Sequence, residues 1–489
     1  MNAHHKPDSL EIKSTSVPLE TPSYLSEALD LQKAAYIENS MPSFEQRKAD
    51  LLSLKALLSD NLDDIVAAIS ADYGNRSRHE TLFAEVVSVT DGINATIKSL
   101  KKWMKVQKRH VDKSLYLGAK NRVIPQPLGV VGLIIPWNFP INLSFSQLCA
   151  VFAAGNRAMV KMSENSRALS RLLIKLVPEY FEADKLQFFE ETGEVGVQFS
   201  KMPFDLVIFT GSGQTGRAVM ASAATNLTPV ILELGGKAPA IIDPDYPLEK
   251  AVQRIMFVKQ FNAGQICTNV DYVFVHQTQI EAFVEKAKAY AIKHCPDIEH
   301  QDYTSIIDDK SFARLLSTLD DAKQKGARVV NLGNQQKVNQ EKRKLAMHLV
   351  LDTTEDMVIR QRETFGPLLM VLPYQEPQEV IDYINDRDRP LALYPFSYDK
   401  ELVQRYINNI MSGGVTVNDA LFHVAQHDLP FGGVGPSGMG HYHGYDGFVS
   451  CSKMRPVFYQ AKVNAVTLMA PPYGKLADRI FKALLKLKG

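Results

Sequence analysis

Four short apolar runs constrain the fold more than any other feature of this sequence: LGVVGLII from Leu128, RAMVKM from Arg157, DLVIFT from Asp205 and PVILEL from Pro229. Helical segments separate most of them. Strands that are Val-, Ile- and Leu-rich without alternation are buried on both faces, so the pattern predicts a parallel sheet covered by helices on either side. A second series, APAIID, YVFVH, ARVV and LMVLP, runs from about 238 to 415. The expected fold class is α/β. The chain has 489 residues. Single cores stop growing near about 250–300 residues, so more than one domain is required.

Residues 1–22 are polar and proline-containing, and are predicted to be a mobile arm. Ser43 and Gln46 form a predicted capping box ahead of Leu51, Leu54 and Leu58, and Gly74 closes the second helix of that pair. A helical pattern continues from about Glu80 to Lys108 and ends in a basic patch, read as a solvated helix end. The stretch 416–460 is dense in Gly, His and aromatic residues. A net charge of +1 gives no reason to expect a nucleic-acid partner. The N-terminal residues carry no signal-peptide core, and no run of about 18 apolar residues occurs to span a membrane. Cys149, Cys267, Cys295 and Cys451 stand far apart with no CxxC pair, which fits a reducing cytoplasm.

FTGSGQTGR follows the strand run DLVIF and places Gly211, Gly213 and Gly216 in a GxGxxG spacing. Glycines let the backbone approach phosphates, and the following helix N-terminus favours negative charge. Such a turn can equally exist with no ligand. The simplest rule seeks a ribose-binding carboxylate about 20 residues on, where Glu233 stands.

Further motifs fall in order along the chain: PWNFP at 136–140, VKMSE at 160–164, FTGS at 209–212, ELGGK at 233–237, FNAGQIC at 261–267, ETFGP at 363–367 and PFGGVGPSGMG at 430–440. In these residues the sequence resembles the aldehyde dehydrogenase superfamily, from about residue 25 to 455. HETLFAEV, DYTSIID, PLALYPFS, NDALFHVAQHDLPFGG and GHYHG look like its class 3 branch, and bacterial coniferyl aldehyde dehydrogenases look especially similar. The resemblance implies a Rossmann-like NAD-binding domain over 23–110 and 128–236, and an α/β catalytic domain over 237–415. It also implies a β oligomerisation arm over 111–127 and 416–460 that makes a homodimer, followed by a C-terminal tail over 461–489.

The resemblance also assigns roles. Aldehyde oxidation needs a nucleophile that turns a planar carbonyl into a tetrahedral hydride donor, and a thiolate both attacks and leaves well. Cys267 in GQIC matches the family nucleophile; the other three cysteines are read as buried thiols. Asn138 in PWNFP matches the side-chain donor to the developing oxyanion, with the Cys267 N–H as the second. Glu233 in ELGGK matches the general base that activates water against the thioester, so it is not given to the ribose. Lys161 and Glu164 match the adenosine-ribose position. Gly211, Ser212 and Gly216 match the cofactor turn, Gly235 and Gly236 a close backbone approach, and Glu363 with Phe365 the nicotinamide-ribose position. The expected cofactor is NAD, with NADP possible. Without the resemblance, Lys161 and Glu164 would read as an exposed surface pair and Asn138 as a turn residue.

Phe139, Phe257 and Phe261 are expected to line a substrate pocket suited to a flat aromatic aldehyde such as coniferyl aldehyde, or to a medium-chain aliphatic one. No metal is expected: His423, His427, His441 and His443 lack cysteine partners and recurrent ligand spacing. Two other readings stay open beside hydrolytic oxidation. A coenzyme A-acylating enzyme generally lacks the base at Glu233, and a non-catalytic relative would have lost Cys267 or Glu233. In the tail, Leu476, Ile480, Ala483, Leu484 and Leu487 recur at helical spacing against a basic face. That helix could pack on its own subunit, across a dimer, or on an anionic membrane. Packing against protein is the expectation.

Overall fold

The computed structural model describes residues 22–113, 115–333, 338–462, 464 and 470–488. The arm expected over 1–22 falls outside them apart from Pro22. The capping box forms: Ser43 Oγ accepts from Gln46 N at 3.2 Å, and Gln46 Oε1 accepts from Ser43 N at 2.7 Å. It starts the helix Phe44–Asp60, which buries Leu51, Leu54, Leu57 and Leu58. Gly74, at φ +79°, ends the helix Leu62–Tyr73.

The helical pattern expected over Glu80–Lys108 is shorter and broken. Leu82–Val87 form a π-helix, the α-helix Ser88–Trp103 follows, and Gln107–Arg109 are a strand, β1. The basic residues leave the helix because their backbone pairs antiparallel with β2 (Lys120–Pro127), Gln107 opposite Val123. The third strand of this arm sheet, β18 (Ser452–Tyr459), pairs with β2 along its whole length. Of the stretch 416–460, only β18 joins the arm. Phe431 and Tyr442 are buried, so the glycine-rich part before β18 folds back onto the body of the molecule.

The expected strand runs all form. The first sheet contains β3 (Val130–Ile134), β4 (Arg157–Lys161), β5 (Leu186–Phe189), β6 (Leu206–Gly211), β7 (Val230–Leu234) and the short β17 (Gly438–Met439). Its order is β17-β7-β6-β3-β4-β5, parallel except for β17. Strand order reverses between β3 and β6, and ligands of such sheets bind outside the carboxyl ends at that reversal.

The second sheet joins β8 (Ala238–Ile242), β9 (Val270–His276), β10 (Arg328–Asn331), β13 (His348–Leu351), β14 (Leu368–Tyr374), β15 (Ala392–Phe396) and β16 (Gly414–Val415). Its order is β10-β13-β14-β9-β8-β15-β16, with β10 antiparallel at one edge. Two short strands, β11 (Val338–Asn339) and β12 (Lys344–Leu345), pair beside it.

The C-terminal segment Lys475–Lys488 is helical, as its periodicity predicts. Its stripe is only partly covered: Ile480 and Leu484 are half-buried, while Leu476 and Ala483 are exposed. Lys488 pairs with Asp112 at the arm. The side chain of Leu487 lies outside the described residues. Among the described residues no helix is long and apolar enough to cross a membrane.

Candidate active site

A cleft of about 1240 Å³ opens along the carboxyl edge of the first sheet, lined by Asn138, Gly211, Ser212, Glu233, Cys267, Glu363 and Phe365 among others. Seven residues predicted from sequence therefore share one cavity.

Cys267 follows a strained turn. Asn262 and Ala263 take left-handed φ values of +52° and +50°, and Gly264 follows at +73°. Non-glycine residues pay for that conformation only where neighbours fix it. Asn262 Nδ2 donates to the Gln265 carbonyl (3.1 Å) and to Tyr73 Oη (3.2 Å). Gln265 Nε2 donates to the Ser305 carbonyl, and its Oε1 accepts from Ile307 N. Asn269 Nδ2 donates to the Gly264 carbonyl.

Asn138 is buried on the connection from β3 to the helix Pro140–Ala154. One of its two amide hydrogens goes to the Gln265 carbonyl at 3.3 Å. Its own carbonyl accepts from Tyr73 Oη at 3.0 Å. The helix that follows is held by Glu85, whose Oε2 accepts from Ile141 N (2.7 Å) and Asn142 N (3.1 Å). Glu85 is itself paired with Arg76 in a fully buried ion pair.

Of the ionisable groups that line the cleft, Glu233 and Glu363 both act on Cys267. Burial and the carboxylates of Glu363 and Glu233 push the Cys267 thiol up to about 12. Glu233, one residue before the end of β7, is 2% exposed, and among the described residues neither carboxyl oxygen has a hydrogen-bond partner. Burial raises it well above the usual carboxylate range. Glu363 is raised to about 8 by burial and by Asp271, against the pull of Lys237. Gly235 is required beside it, because a Cβ there would collide with Glu363 Oε2. Phe365 holds φ +43° and meets Trp137 edge-on at 5.6 Å.

The cofactor-side predictions separate into two groups. Gly211 and Ser212 line the cleft, and Ser212 caps the helix Gly213–Ala224 by accepting from Thr215 N. Gly216 does not line it. A Cβ there would sit 2.6 Å from Leu234 Cδ2, so this glycine serves the close packing of helix on sheet. Lys161 and Glu164 also lie outside the cleft lining. Lys161 is paired not with Glu164 but with Glu191, at 2.6 Å. Glu164 is exposed and accepts only from Ser163 Oγ at 3.4 Å.

Phe139, Phe257 and Phe261 form a ladder of their own. Phe139 stacks on Phe261 at 6.3 Å, Phe261 on Phe257 at 5.7 Å, and Phe257 on Phe422 at 6.4 Å. The inner rings are buried, and Phe257 reaches solvent. A separate small cavity of about 40 Å³ lies one helical turn beyond Asn138, with Asn142, Ser146, Val424 and His443 in its wall.

Sequence reasoning missed the clamp behind Glu363. Lys237 Nζ pairs with Asp271 and donates to the carbonyls of Ile359 (2.8 Å) and Arg362 (3.0 Å). Asp271 Oδ1 accepts from both the N–H and the hydroxyl of Thr364. Lys237 ends the ELGGK motif, so its place beside Glu233 was the available signal. Glu85 and Gln265 likewise sit inside HETLFAEV and GQIC. Among the described residues no group of three or more His, Cys, Asp or Glu side chains is placed to hold a metal. Burial lowers His423 and His443 to about 4, so both are neutral.

A model of the aldehyde dehydrogenase family matches residues 5–457. A probable coniferyl aldehyde dehydrogenase of Pseudomonas aeruginosa is 45% identical over 450 residues, covering 92% of this chain and 94% of that protein. A coniferyl aldehyde dehydrogenase of a Pseudomonas species is 41% identical, covering 94% and 96%. Among solved structures, the substrate-bound state of Staphylococcus aureus AldH superposes with a TM-score of 0.88 at 32% identity, covering 94% and 99%. The NAD+ complex of an aldehyde dehydrogenase from Bacillus cereus gives 0.81 at 25% identity, covering 90% and 89%. With the α/β fold, the cleft and these likenesses together, the chain belongs to the aldehyde dehydrogenase family as one of its enzymes.

Proposed function

We propose that this enzyme oxidises an aromatic aldehyde such as coniferyl aldehyde, or a medium-chain aliphatic one, to the carboxylic acid with NAD as the preferred oxidant. One observation carries the reading. A thiol, Cys267, and a carboxyl buried without a partner among the described residues, Glu233, share a cleft with the carboxamide of Asn138.

The cleft fits a dinucleotide. The Gly211–Ser212–Gly213 turn presents no bulk, and the helix N-terminus behind it favours phosphate. A bound nicotinamide would supply the hydride acceptor. Glu363 would hold its ribose, and Lys161 with Glu164 the adenosine ribose.

The chain does the rest. Burial raises the Cys267 thiol, and its proton passes to bulk water as the sulfur attacks. The sulfur adds to the aldehyde carbon, and the new oxyanion takes hydrogen bonds from Asn138 Nδ2 and the Cys267 N–H. Loss of hydride from that carbon leaves a thioester. Glu233 then removes a proton from water, whose oxygen attacks the thioester, releasing the acid and restoring the thiol. A carboxyl raised by burial suits that transfer.

The stacked rings of Phe139, Phe261, Phe257 and Phe422 support a flat apolar substrate. The assembly we infer is a cytoplasmic homodimer joined through the arm. Among the described residues, β18 is an edge strand of eight residues, paired with β2 on one side only and with Phe458 and Tyr459 exposed, a surface that proteins normally cover.

The test is a panel of coniferyl, cinnamyl, benzyl, medium-chain and short aldehydes run with NAD and with NADP, following reduced nicotinamide. Faster oxidation of acetaldehyde than of the others overturns the aromatic pocket. Oxidation that survives Cys267→Ala overturns the mechanism.

A further inference from the structure

The carboxyl edge of the first sheet carries a feature that oxidation does not use. Reading across the sheet, Phe189, Lys161, Ile134 and Phe209 stand level on β5, β4, β3 and β6. Lys161 thus ends a strand two places from the Gly211 turn, about 10 Å away at ordinary strand spacing. A dinucleotide seated on Gly211 and Ser212 reaches that far.

Lys161 is buried, and its ammonium is committed to Glu191 at 2.6 Å. Glu191 lies 30 positions along the chain and reaches Lys161 only through the crossover from β4 to β5. Its carboxylate is held from behind. Oε1 accepts from Gly193 N at 3.1 Å and Val195 N at 2.9 Å, and Oε2 accepts from Gly196 N at 2.9 Å. Burial alone would raise it, but Lys161 and the N–H groups of Gly196 and Gly193 keep it below the usual range. Gly196 leaves the room for this arrangement: a Cβ there would lie 3.0 Å from Glu191 Oε2 and 3.1 Å from Lys161 Nζ.

We propose that Glu191 is a specificity-determining residue: by occupying Lys161, it closes the adenosine-ribose end of the site to a 2′-phosphate. This rests on the adenosine ribose lying at Lys161, as in the proposed function. A ribose diol asks for hydrogen-bond acceptors, which the exposed carboxylate of Glu164 offers. A 2′-phosphate instead carries close to two negative charges and needs a free cation. Here the Lys161 ammonium is neutralised by Glu191, and Glu164, three residues on in the chain, adds a further negative charge. Because Glu191 is fixed by three backbone N–H groups, it does not swing aside to release Lys161.

The test is calorimetric titration of aldehyde-free enzyme with NAD and with NADP, so the readout is binding and not turnover. Native enzyme binds NAD more tightly. Glu191→Gln tightens NADP relative to NAD by about tenfold, since a freed ammonium gains a charge-assisted contact. Adding Lys161→Met to that variant removes the gain. Glu191→Ala is a second variant, and circular dichroism confirms that each is folded before titration. NADP affinity unchanged in both Glu191 variants, with NAD weakened by Lys161→Met alone, overturns the role of Glu191. If Lys161→Met alters neither cofactor, the placement of the ribose fails, and the proposal with it.

Discussion

Two carboxylates stand at the same edge of one sheet and are treated in opposite ways. Glu233, one residue before the end of β7, is buried with no partner on either oxygen among the described residues, and burial drives its pKa up. Glu191, just beyond β5, is surrounded by an ammonium and three N–H donors that hold its pKa down despite burial. Environments that push like groups apart assign them different work. The first is suited to exchanging a proton, and the second to keeping a fixed charge. The Cys267 end of the edge therefore leaves a polar group unsatisfied, while the Lys161 end satisfies every lone pair it can.

The largest effect is expected where the unsatisfied carboxyl is removed. Glu233→Gln should lower steady turnover by about 10²–10⁴-fold, the usual contribution of a positioned base. Rapid-quench measurement should still show a first turnover of reduced nicotinamide, because loss of water activation stalls the enzyme at the thioester. Steady turnover at the native rate would place the base elsewhere. Asn138→Ala comes next, with turnover falling about 10²–10³-fold, as for other oxyanion donors. A loss confined to KM would make Asn138 a scaffold for the Gln265 turn and not a donor.

How much of this edge was legible depends on the range of the contact. The strand runs were readable because strands buried on both faces are continuously apolar, as in VVGLI and VILEL. β5 was not picked out, being four residues long and embedded in charge. Glu233, Cys267 and Asn138, which share the cleft, were each singled out by a short local motif. The ion pair of Lys161 was not anticipated, because Glu191 becomes its neighbour only after the crossover folds. Gln107–Arg109 read as helix because their pairing with β2 is likewise long-range. Gly216 matched the glycine spacing yet faces Leu234, a distinction that spacing does not carry.

Stability against pH should split the two carboxylates by sign. Glu233 binds its proton more tightly folded than unfolded. Its contribution is therefore full below about 4.5, the unfolded value, and is lost as pH rises through the folded value. Glu191 is the reverse: its contribution is present above that value and is lost as pH falls through its lowered one. In thermal melts, Glu233→Gln should match the native enzyme in acid and become relatively more stable as pH rises. Glu191→Gln should be less stable near neutrality by about 2 kcal/mol, the scale of a charged hydrogen bond, with the deficit shrinking in acid. Two variants that shift in the same direction would erase the contrast between the sites.

The smallest effect is expected at Glu164, and it sharpens the comparison within the adenosine end itself. Glu191 holds Lys161 directly, whereas Glu164, three residues along the chain, is exposed and makes no ion pair among the described residues, so solvent screens it. Glu164→Gln removes a charge that would repel a 2′-phosphate without freeing any cation to bind one. The NADP-to-NAD ratio of kcat/KM should rise by about two- to threefold, the scale of an exposed charge interaction. This is less than the change expected from Glu191→Gln in the same assay. A larger shift from Glu164→Gln than from Glu191→Gln would put selectivity in the exposed carboxylate and leave the buried pair as structure. Native enzyme that already prefers NADP would count against both, because a lysine neutralised by Glu191 and a further carboxylate three residues along the chain offer a second phosphate nothing to bind.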